Sequence, residues 1–593
     1  MDKNIPIEFA NSVDLAIIAF YFVSVIGIGL YFSKYIKGAG DYFRAGNKMH
    51  WWVAAISSWM SGFGAFVFTG LAGMIYLEGL QAALLTTTGL PAMVFAYFFF
   101  AKYWRRSRVM SILEYFGIRF NKVSLQISTW FYIPIYVLIM SAGLYSLSFF
   151  VGTALHFPVE TVILVAGISI AIYTVIGGIW GVVITDTVQF LVLLPVSILM
   201  IPLSIHAVGG IDALVANAPS GFWRPFSGEI PNAMVTIPFF LAYMLQIIHG
   251  QNTNPIAQRF FSVRNEREAQ KTALLTGILF TTGAFFWLVP PVAARIIFGP
   301  DLGDVIGVDV ANSQEYAYIL IALKILPHGM MGFLMAAIMA ATMSSHSSLY
   351  NMLSGMFSKD IYGNIKKDAT DKELLVAGRI SSLLMAVIVI SGASIFNYYE
   401  LSIFDIVVAI SVAVITPLAT PMLLAFVYKK APSWGALFSF VCSFFAVIIC
   451  KFLLEPHVDG WSYMPESAFM IFGVAAVSFL ISPYIPFLKS TKEEQEKIDE
   501  FYKRLATPIQ EDEEIIPSDV DALSMGNIVG WIIIGIGAVM SCLVALPGLT
   551  IRERLISLAT GLPLTLMGVV MRYFAKKNLM KKAALQKKKQ GDK

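Results

Sequence analysis

The chain has 593 residues, of which 57% are hydrophobic and 13% are charged, and its formal net charge is +4 at pH 7. Water-soluble globular proteins carry about twice that share of charged residues, so the composition excludes that class. The positive excess lies in basic clusters between apolar stretches, as in membrane topology signals, and we therefore expect no nucleic-acid partner.

Long apolar stretches recur along the whole chain and predict an all-α polytopic membrane protein. A bilayer core about 30 Å thick needs roughly 20 apolar residues in a helix. We predict fifteen spans, at 13–33, 51–75, 79–101, 124–151, 160–178, 180–207, 234–257, 272–298, 328–356, 375–396, 403–428, 433–454, 466–487, 526–546 and 555–575. The first lacks a basic leader and a cleavage site, which favours a retained helix over a signal peptide. All three cysteines lie inside spans, which disfavours a disulfide framework or a zinc site.

Lysine and arginine clusters predict the orientation of these spans. Basic clusters follow the first and third predicted spans, and then every second span from the seventh to the fifteenth. The cluster after the seventh span, for example, consists of Arg259, Arg264, Arg267 and Lys271. Loops on the other side, such as HFPVE at 156–160, are poor in basic residues. Because cytoplasmic loops are enriched in Lys and Arg, we expect the N-terminus outside and the C-terminus in the cytoplasm, with the protein in the plasma (inner) membrane.

One polar insert interrupts the apolar pattern near the C-terminus. Residues 490–522, STKEEQEKIDEFYKRLATPIQEDEEIIPSDVDA, are cytoplasmic in the predicted topology. The insert is too short for a catalytic domain. We interpret it as a solvated linker with one or two amphipathic turns, and a regulatory element is the alternative.

Two predicted spans contain residues that disfavour a continuous helix. In the second span Gly62 and Gly64 flank Phe63, and the seventh span carries four such residues: Gly250, Asn252, Asn254 and Pro255. Unwound backbone is tolerated at membrane depth where it lines a buried, wet cavity. The two breaks are five spans apart, as in a five-plus-five inverted repeat with the first span outside it. The alternative is that the glycines only allow close helix packing.

A stripe of small polar residues in the ninth span predicts a cation site. Ala341, Ser344, Ser345 and Ser348 have the spacing i, i+3, i+4, i+7 and share one helix face. Hard monovalent cations seek oxygen ligands, which these hydroxyls and carbonyls could supply together with carbonyls freed near Met60 and Phe63. We expect sodium, with potassium as an alternative that needs a roomier cage. The competing interpretation is that each serine bonds back to its i−4 carbonyl.

An acidic residue lies inside the sixth span. Asp186 is flanked by Thr185 and Gln189, and no basic residue lies close to it in sequence. An intramembrane carboxylate is costly and is by default a functional hypothesis. We predict that Asp186 holds a second cation or relays a proton, and the alternative is an interfacial residue that caps a neighbouring helix.

Four ordered segments resemble the signatures of the sodium/solute symporter family, which includes sodium/glucose, sodium/proline and sodium/sialic acid cotransporters. They are GGIWGVVITDTVQF (177–190), AQRFFSVRNEREAQK (257–271), LPHGMMGFLMAAIMAATMSSHSSLYNMLSGMFSKDIY (326–362) and SIFDIVVAISVAVITPLATPMLLAFVYKKAPSWGALFSF (402–440). The resemblance runs from about residue 13 to residue 490.

The resemblance implies a leucine-transporter-type 5+5 inverted repeat with one preceding and four following helices. The expected regions are an extra helix and loop (1–50), the first repeat (51–207), an outer loop (208–233), the second repeat (234–430), two accessory helices (431–488), the linker (489–523), two more helices (524–576) and a basic tail (577–593). It also implies a sodium site formed by Met60, Phe63, Ala341, Ser344 and Ser345, and a second site or relay at Asp186, with Ser344, Ser345 and Ser348.

The resemblance is less informative about the solute. Alignment with sugar-transporting members places five residues at pocket positions, namely Val67, Thr86, Gly89, Gln246 and His249. Val67 and Thr86 stand where those members have polar and acidic contacts, so specificity for glucose or galactose is not supported. The helix at 124–151 has no Arg or Lys to bind a carboxylate, unlike in the sialic acid members.

The predicted function is sodium-coupled symport of a small polar organic solute, with a sugar derivative or polyol favoured. An amino-acid or monocarboxylate symporter and a transporter-like solute sensor are the alternatives. A channel would need rings of carbonyls or charges along a pore, and an enzyme would need a nucleophile, base and orienting partner at suitable spacing. The sequence has neither pattern, so we expect sodium, the solute and the bilayer as partners and no catalysis.

Overall fold

The computed structural model describes residues 9–33, 49–62, 64–109, 112–226, 228–253, 255–306, 312–327, 329–509, 522–545 and 550–591. Within these ranges every regular element is a helix, and the one β-type contact is an isolated bridge between Met49 and Val263. The predicted all-α class is therefore confirmed.

The helices of the first half, in chain order, are α1 (Ser12–Ser33), α2 (Trp51–Ser61), α3 (Gly70–Glu78), α4 (Leu80–Arg106), α5 (Ile112–Arg119), α6 (Lys122–Leu155), α7 (Val159–Ala207) and α8 (Ile211–Asn217). A single 3-10 turn, Ala65–Val67, lies between α2 and α3.

The helices of the second half are α9 (Ile237–Thr253), α10 (Pro255–Ser262), α11 (Glu266–Phe298), α12 (Ala317–Ile325), α13 (Met330–Met356), α14 (Asp371–Tyr398), α15 (Ile403–Val427), α16 (Gly435–Leu454), α17 (Met464–Tyr484), α18 (Lys492–Ala506), α19 (Ala522–Cys542) and α20 (Ile551–Gly591). The 3-10 turn Ser313–Tyr316 precedes α12.

Nine helices in the described part of the chain are long and apolar enough to cross a bilayer, or ten when the bent pair α2–α3 counts as one span. The multi-pass architecture follows from them, whereas the total of fifteen spans stays a prediction. The sequence divides 160–207 into two spans, but the structure assigns one helix, α7, of 49 residues.

The first predicted helix break is present. The axis bends by 61° between α2 and the segment Ala65–Glu78. Phe63 itself lies outside the described residues. The second break is more limited than predicted, because α9 stays helical through Gly250 and Asn252 to Thr253, and α10 starts at Pro255. The Asn252 side chain donates to the carbonyls of Ala92 and Ile248, and these hydrogen bonds stabilise the helix at this position.

The serine-bearing helix α13 lies at the centre of the fold. All of its residues are buried except Ser345, which is partly exposed. It packs against α1, α6 and α7 as well as α2. A helix buried on every side faces protein rather than lipid, so its hydroxyl groups are available to other helices.

The polar insert is folded and packed over 491–509, which corrects its interpretation as a mainly solvated linker. Helix α18 starts with a capping box between Thr491 and Glu494 and buries one face, formed by Ile498, Phe501 and Leu505. The Tyr502 hydroxyl accepts from Arg119 Nε at 3.0 Å and donates to the Ala425 carbonyl at 2.6 Å. The helix thereby joins α5 to the end of α15.

A buried carboxylate joins the turn before α12 to the start of α15. Glu315 is 2% exposed, and its Oε1 accepts from the Ile403 amide at 2.8 Å. Burial raises the pKa of Glu315 from 4.5 to about 8, and the neighbouring Asp405 carboxylate also raises it, while the amides of Ile403 and Phe404 oppose the shift.

Replacing Glu315 with glutamine is expected to flatten the pH dependence of stability. The folded protein holds the Glu315 proton up to about pH 8, whereas the unfolded chain releases it near 4.5. The free energy of unfolding should therefore fall as pH rises through this window. The Glu315→Gln amide keeps an acceptor for Ile403 and does not titrate. Thermal unfolding in detergent from about pH 5 to about pH 9 measures the slope, with the exposed Glu400→Gln as control. An unchanged slope in Glu315→Gln would contradict the assignment.

Candidate functional site

The helix break after α2 lies directly on the serine face of α13. The Ala65 amide donates to Thr342 Oγ1 at 3.0 Å. A β-carbon placed on Gly64 would lie 3.7 Å from both Ser345 Oγ and Thr342 Oγ1. The unwound segment and the stripe predicted from sequence are therefore neighbours in space.

The predicted cation ligands come from both sides of this contact. Helix α2 ends at Ser61, and the Gly62 amide that caps it is shared among the carbonyls of Ser58, Trp59 and Met60, so the Met60 carbonyl keeps a lone pair for a cation. Ala341 is fully buried one turn before Ser345, whose Oγ donates to the Thr342 carbonyl at 2.9 Å and keeps its lone pairs. Phe63 lies outside the described residues. The four described ligands present neutral oxygens, which suit sodium.

Two buried polar atoms beside this contact have unused hydrogen-bonding capacity. Ser344 and Asp186 are both 0% exposed and their side chains lie close to each other, but Ser344 Oγ and Asp186 Oδ1 form no hydrogen bond of good geometry with a described residue. An unpaired buried polar atom costs free energy unless a ligand satisfies it. Oxygen atoms of this kind are suitable cation ligands.

Asp186 belongs to a buried cluster that contains an arginine. Its Oδ2 accepts from Ser57 Oγ at 2.5 Å and lies 3.8 Å from the guanidinium of Arg259. Arg259 donates through Nε to Ser57 at 3.1 Å, and through its second terminal nitrogen to Ser61 at 3.0 Å and Ser348 at 2.9 Å. The cluster joins α2, α7, α10 and α13, and its carboxylate is compensated by a cation of the protein itself.

The position of Arg259 corrects two inferences from sequence. The sequence pattern places Arg259 in the basic cluster that follows the seventh span and predicts a cytoplasmic loop, but its side chain is 0% exposed. The same pattern leaves Asp186 without a basic partner, because it shows only neighbours along the chain. Arg259 follows Gln258 in the otherwise apolar segment IAQRFF (256–261), and its separation from the following basic cluster is the signal that could have identified it.

A cavity of about 260 Å³ adjoins the helix break. It contacts Ser61, Gly62 and Gly64 on one side and Thr342 and Ser345 on another. The further polar residues of its wall are Tyr136, Tyr243, Gln246, Gln251, His346 and Ser411. Among the described residues, no Asp, Glu, Lys or Arg side chain lines it.

The five predicted solute contacts divide into two groups. Val67 and Gln246 line the cavity. Thr86, Gly89 and His249 do not. Thr86 donates to the Ala83 carbonyl at 2.7 Å, Gly89 faces the Phe280 ring, and His249 lies between the Leu245 carbonyl at 2.7 Å and the Thr420 hydroxyl at 3.1 Å.

Several wall residues are not predicted from sequence. Gln251 lies next to the predicted break at Gly250, and Tyr136 and Tyr243 lie in apolar spans. Polar residues within an apolar span are a signal for Gln251. For the two tyrosines the sequence carries no such signal, since tyrosine is common in membrane helices.

A multi-pass helical fold with a broken helix against a buried hydroxyl-rich helix defines a class of membrane transporters. The family model of the sodium:solute symporter family matches residues 42–442. The chain belongs to the sodium:solute symporter family. Its members are transporters, and the chain is accordingly a transporter and not an enzyme.

Curated relatives are similar to most of the chain at low identity. Sodium/glucose cotransporter 1 of Mus musculus is 25% identical over 476 residues, which cover 73% of this chain and 70% of the relative. Sodium/myo-inositol cotransporter 2 of Bos taurus is 26% identical over 498 residues, which cover 76% and 72%. Solute carrier family 5 member 4A of Mus musculus is 28% identical over 475 residues, covering 72% and 70%.

A solved structure of a Na⁺-coupled sialic acid symporter has the same fold. Its TM-score is 0.68 with 19% identity, over 80% of this chain and 98% of that chain. The leucine-transporter-type fold expected from the resemblance is therefore confirmed. Family membership also supports the use of sodium.

Proposed function

We propose that the protein couples inward sodium movement to the uptake of a small uncharged polar solute, a sugar derivative or polyol, by alternating access. The observation that carries the proposal is that the helix break and the serine-bearing helix α13 both line the cavity: Gly62 and Gly64 belong to the break, and Ser345 belongs to the stripe. A cation bound at the stripe would thus contact the wall of the solute cavity.

The wall chemistry favours a solute without net charge. Gln246 and Gln251 each present a side-chain oxygen without a hydrogen-bond partner among the described residues. Such acceptors suit hydroxyl donors of a polyol, and the tyrosine rings provide flat apolar contact. A carboxylate would enter a cavity without a described lysine or arginine side chain, so a monocarboxylate or amino acid is second. Relatives that carry glucose and myo-inositol by name are consistent with this class.

Sodium would drive the cycle by joining Met60 and Phe63 to Ala341, Ser344 and Ser345. Binding favours the state in which this joint is closed, and opening it to the cytoplasm releases both cargoes. One cation that crosses about 100 mV gains about 2.3 kcal/mol, and a roughly tenfold sodium gradient adds about 1.4 kcal/mol. Together they sustain roughly a 500-fold solute gradient per sodium ion.

Asp186 and Ser348 remain proposed as a second cation site or relay. Arg259 already engages Ser348, so a second cation would have to displace the guanidinium before it could use these oxygens. We therefore favour one sodium ion per cycle. The orientation, with the N-terminus outside, remains proposed from the basic clusters.

Uptake into proteoliposomes tests the function directly. Purified protein, an imposed sodium gradient and labelled glucose, myo-inositol, other polyols, amino acids and monocarboxylates are compared, with choline and potassium gradients as controls. We expect sodium-dependent uptake of a polyol or sugar derivative. Uptake that is unaffected by replacing sodium, or uptake of monocarboxylates alone, would overturn the proposal. Steady ion current without any solute would indicate a channel.

A further inference from the structure

We infer that Thr342 is a positioning residue for sodium: its hydroxyl holds the unwound segment on α13 so that the ligand carbonyls face the serine stripe. The inference rests on the proposed sodium coupling and adds a residue outside the stripe. Thr342 follows Ala341 directly, so it lies on the adjacent part of the helix surface.

The hydroxyl of Thr342 is engaged both as a donor and as an acceptor, and the residue is buried. It donates to the Ile338 carbonyl at 3.0 Å and accepts from the Ala65 amide at 3.0 Å, and the residue is 1% exposed. Ala65 begins the turn that follows the break, and Gly64 before it has no side chain to cap that turn. Thr342 therefore supplies from another helix the cap that the local sequence lacks.

Two further buried contacts hold the same parts together. The Thr69 hydroxyl donates to the Ala65 carbonyl at 3.2 Å and lies 2.8 Å from the Ser146 hydroxyl on α6. His346 Nε2 lies 2.7 Å from the Met140 carbonyl, also on α6. The segment after the break is thus held in place by hydrogen bonds that involve both α6 and α13. Among these contacts, the Ala65–Thr342 bond lies next to the proposed ligands.

This geometry predicts that loss of the Thr342 hydroxyl lowers the affinity for sodium, an effect that a purely structural hydrogen bond would not have. A flexible backbone must be ordered when the ion binds, and that cost lowers affinity. A bond that orders Gly64 and Ala65 in advance removes part of the cost. A neutral hydrogen bond of ordinary strength corresponds to a change of about twofold to tenfold in an equilibrium constant.

The test is a sodium titration of the purified full-length protein without any solute. Tryptophan fluorescence is followed as sodium chloride replaces choline chloride, and thermal unfolding in choline chloride is measured in parallel. We expect Thr342→Val to raise the sodium midpoint by about threefold to tenfold. Thr342→Ser, which keeps the hydroxyl, should remain near the wild-type midpoint.

Thr174→Val is the matched control. Thr174 is a buried threonine whose hydroxyl also donates to its i−4 carbonyl, on Ile170 at 2.8 Å, but it lies in α7 and does not line the cavity at the break. The inference is overturned if Thr342→Val keeps the wild-type midpoint, if Thr174→Val shifts it equally, or if Thr342→Ser behaves like valine. A wild-type protein without any sodium response would instead overturn the proposed function.

Discussion

Replacing Asp186 with asparagine is expected to destabilise the protein by about 3–5 kcal/mol, because it leaves the guanidinium of Arg259 buried without a counter-charge. Both side chains are 0% exposed, and their charged groups lie 3.8 Å apart. Solvent screening is weak at such a site, so the unpaired charge carries most of its desolvation cost. Arg259→Gln should destabilise by a similar amount, since it leaves the carboxylate uncompensated.

The double variant Asp186→Asn/Arg259→Gln separates the charge pair from its surroundings. It removes both charges and keeps hydrogen-bonding groups for Ser57, Ser61 and Ser348, so it should be more stable than either single variant. Thermal and denaturant unfolding of all four proteins complete a double-mutant cycle. If the double variant loses the sum of the two single losses, the two residues act independently and the cluster is not a charge pair.

The same four proteins bear on the number of sodium ions. If Arg259 takes the place of a second cation, Arg259→Gln exposes Asp186 and Ser348 to the ion that wild type excludes. The reversal potential of transport in proteoliposomes would then depend on the sodium gradient with a larger coefficient, which means that more sodium ions move with each solute. An unchanged coefficient would favour Asp186 and Ser348 as a relay or a structural pair.

The helical class and the serine stripe could be predicted from the sequence because both depend on local periodicity. Apolar stretches of about 20 residues define spans, and the spacing of Ala341, Ser344, Ser345 and Ser348 defines a face whatever the helix packs against. The glycines around Phe63 gave the position of the bend for the same reason. These features need no knowledge of which helices are neighbours.

Features that depend on long-range pairing could not be predicted in this way. Arg259 and Asp186 are separated by many residues, and only the packing of α10 against α2 and α13 brings the arginine to the carboxylate. Thr342 lies outside the i, i+3, i+4, i+7 pattern, and its role depends on the Ala65 amide, 277 positions away in the chain. Sequence periodicity assigns it no partner.

The polar insert and the second break show two ways in which local sequence signals are insufficient: they do not identify docking partners, and they can predict a break where tertiary contacts keep the helix intact. The capping box at Thr491 and the stripe of Ile498, Phe501 and Leu505 were visible in the sequence, but the docking partners Arg119 and Ala425 were not. Conversely, Gly250 and Asn252 have low helix propensity, yet side-chain bonds such as that of Asn252 to Ala92 keep α9 helical. Tertiary packing overrides propensity at these positions.

Ser345→Ala is expected to weaken sodium activation by about tenfold or more, with a smaller effect on solute affinity at saturating sodium. A hydrogen-bonding group that meets a charge contributes about 1.5–3 kcal/mol, and 1.4 kcal/mol corresponds to tenfold in affinity. Ser345 is the partly exposed residue of α13, it lines the cavity, and its Oγ lies 3.7 Å from the β-carbon position of Gly64. No other hydroxyl of α13 combines these three properties.

Ser347→Ala is the matched control for this loss. Ser347 Oγ donates to the i−3 carbonyl of Ser344 at 3.0 Å, just as Ser345 Oγ donates to Thr342, but Ser347 is fully buried and does not line the cavity. Sodium dependence of uptake in proteoliposomes, measured at saturating solute, should shift for Ser345→Ala and not for Ser347→Ala. If Ser345→Ala keeps its sodium half-saturation while solute affinity falls, Ser345 belongs to the solute pocket, and the ion must bind elsewhere along the break.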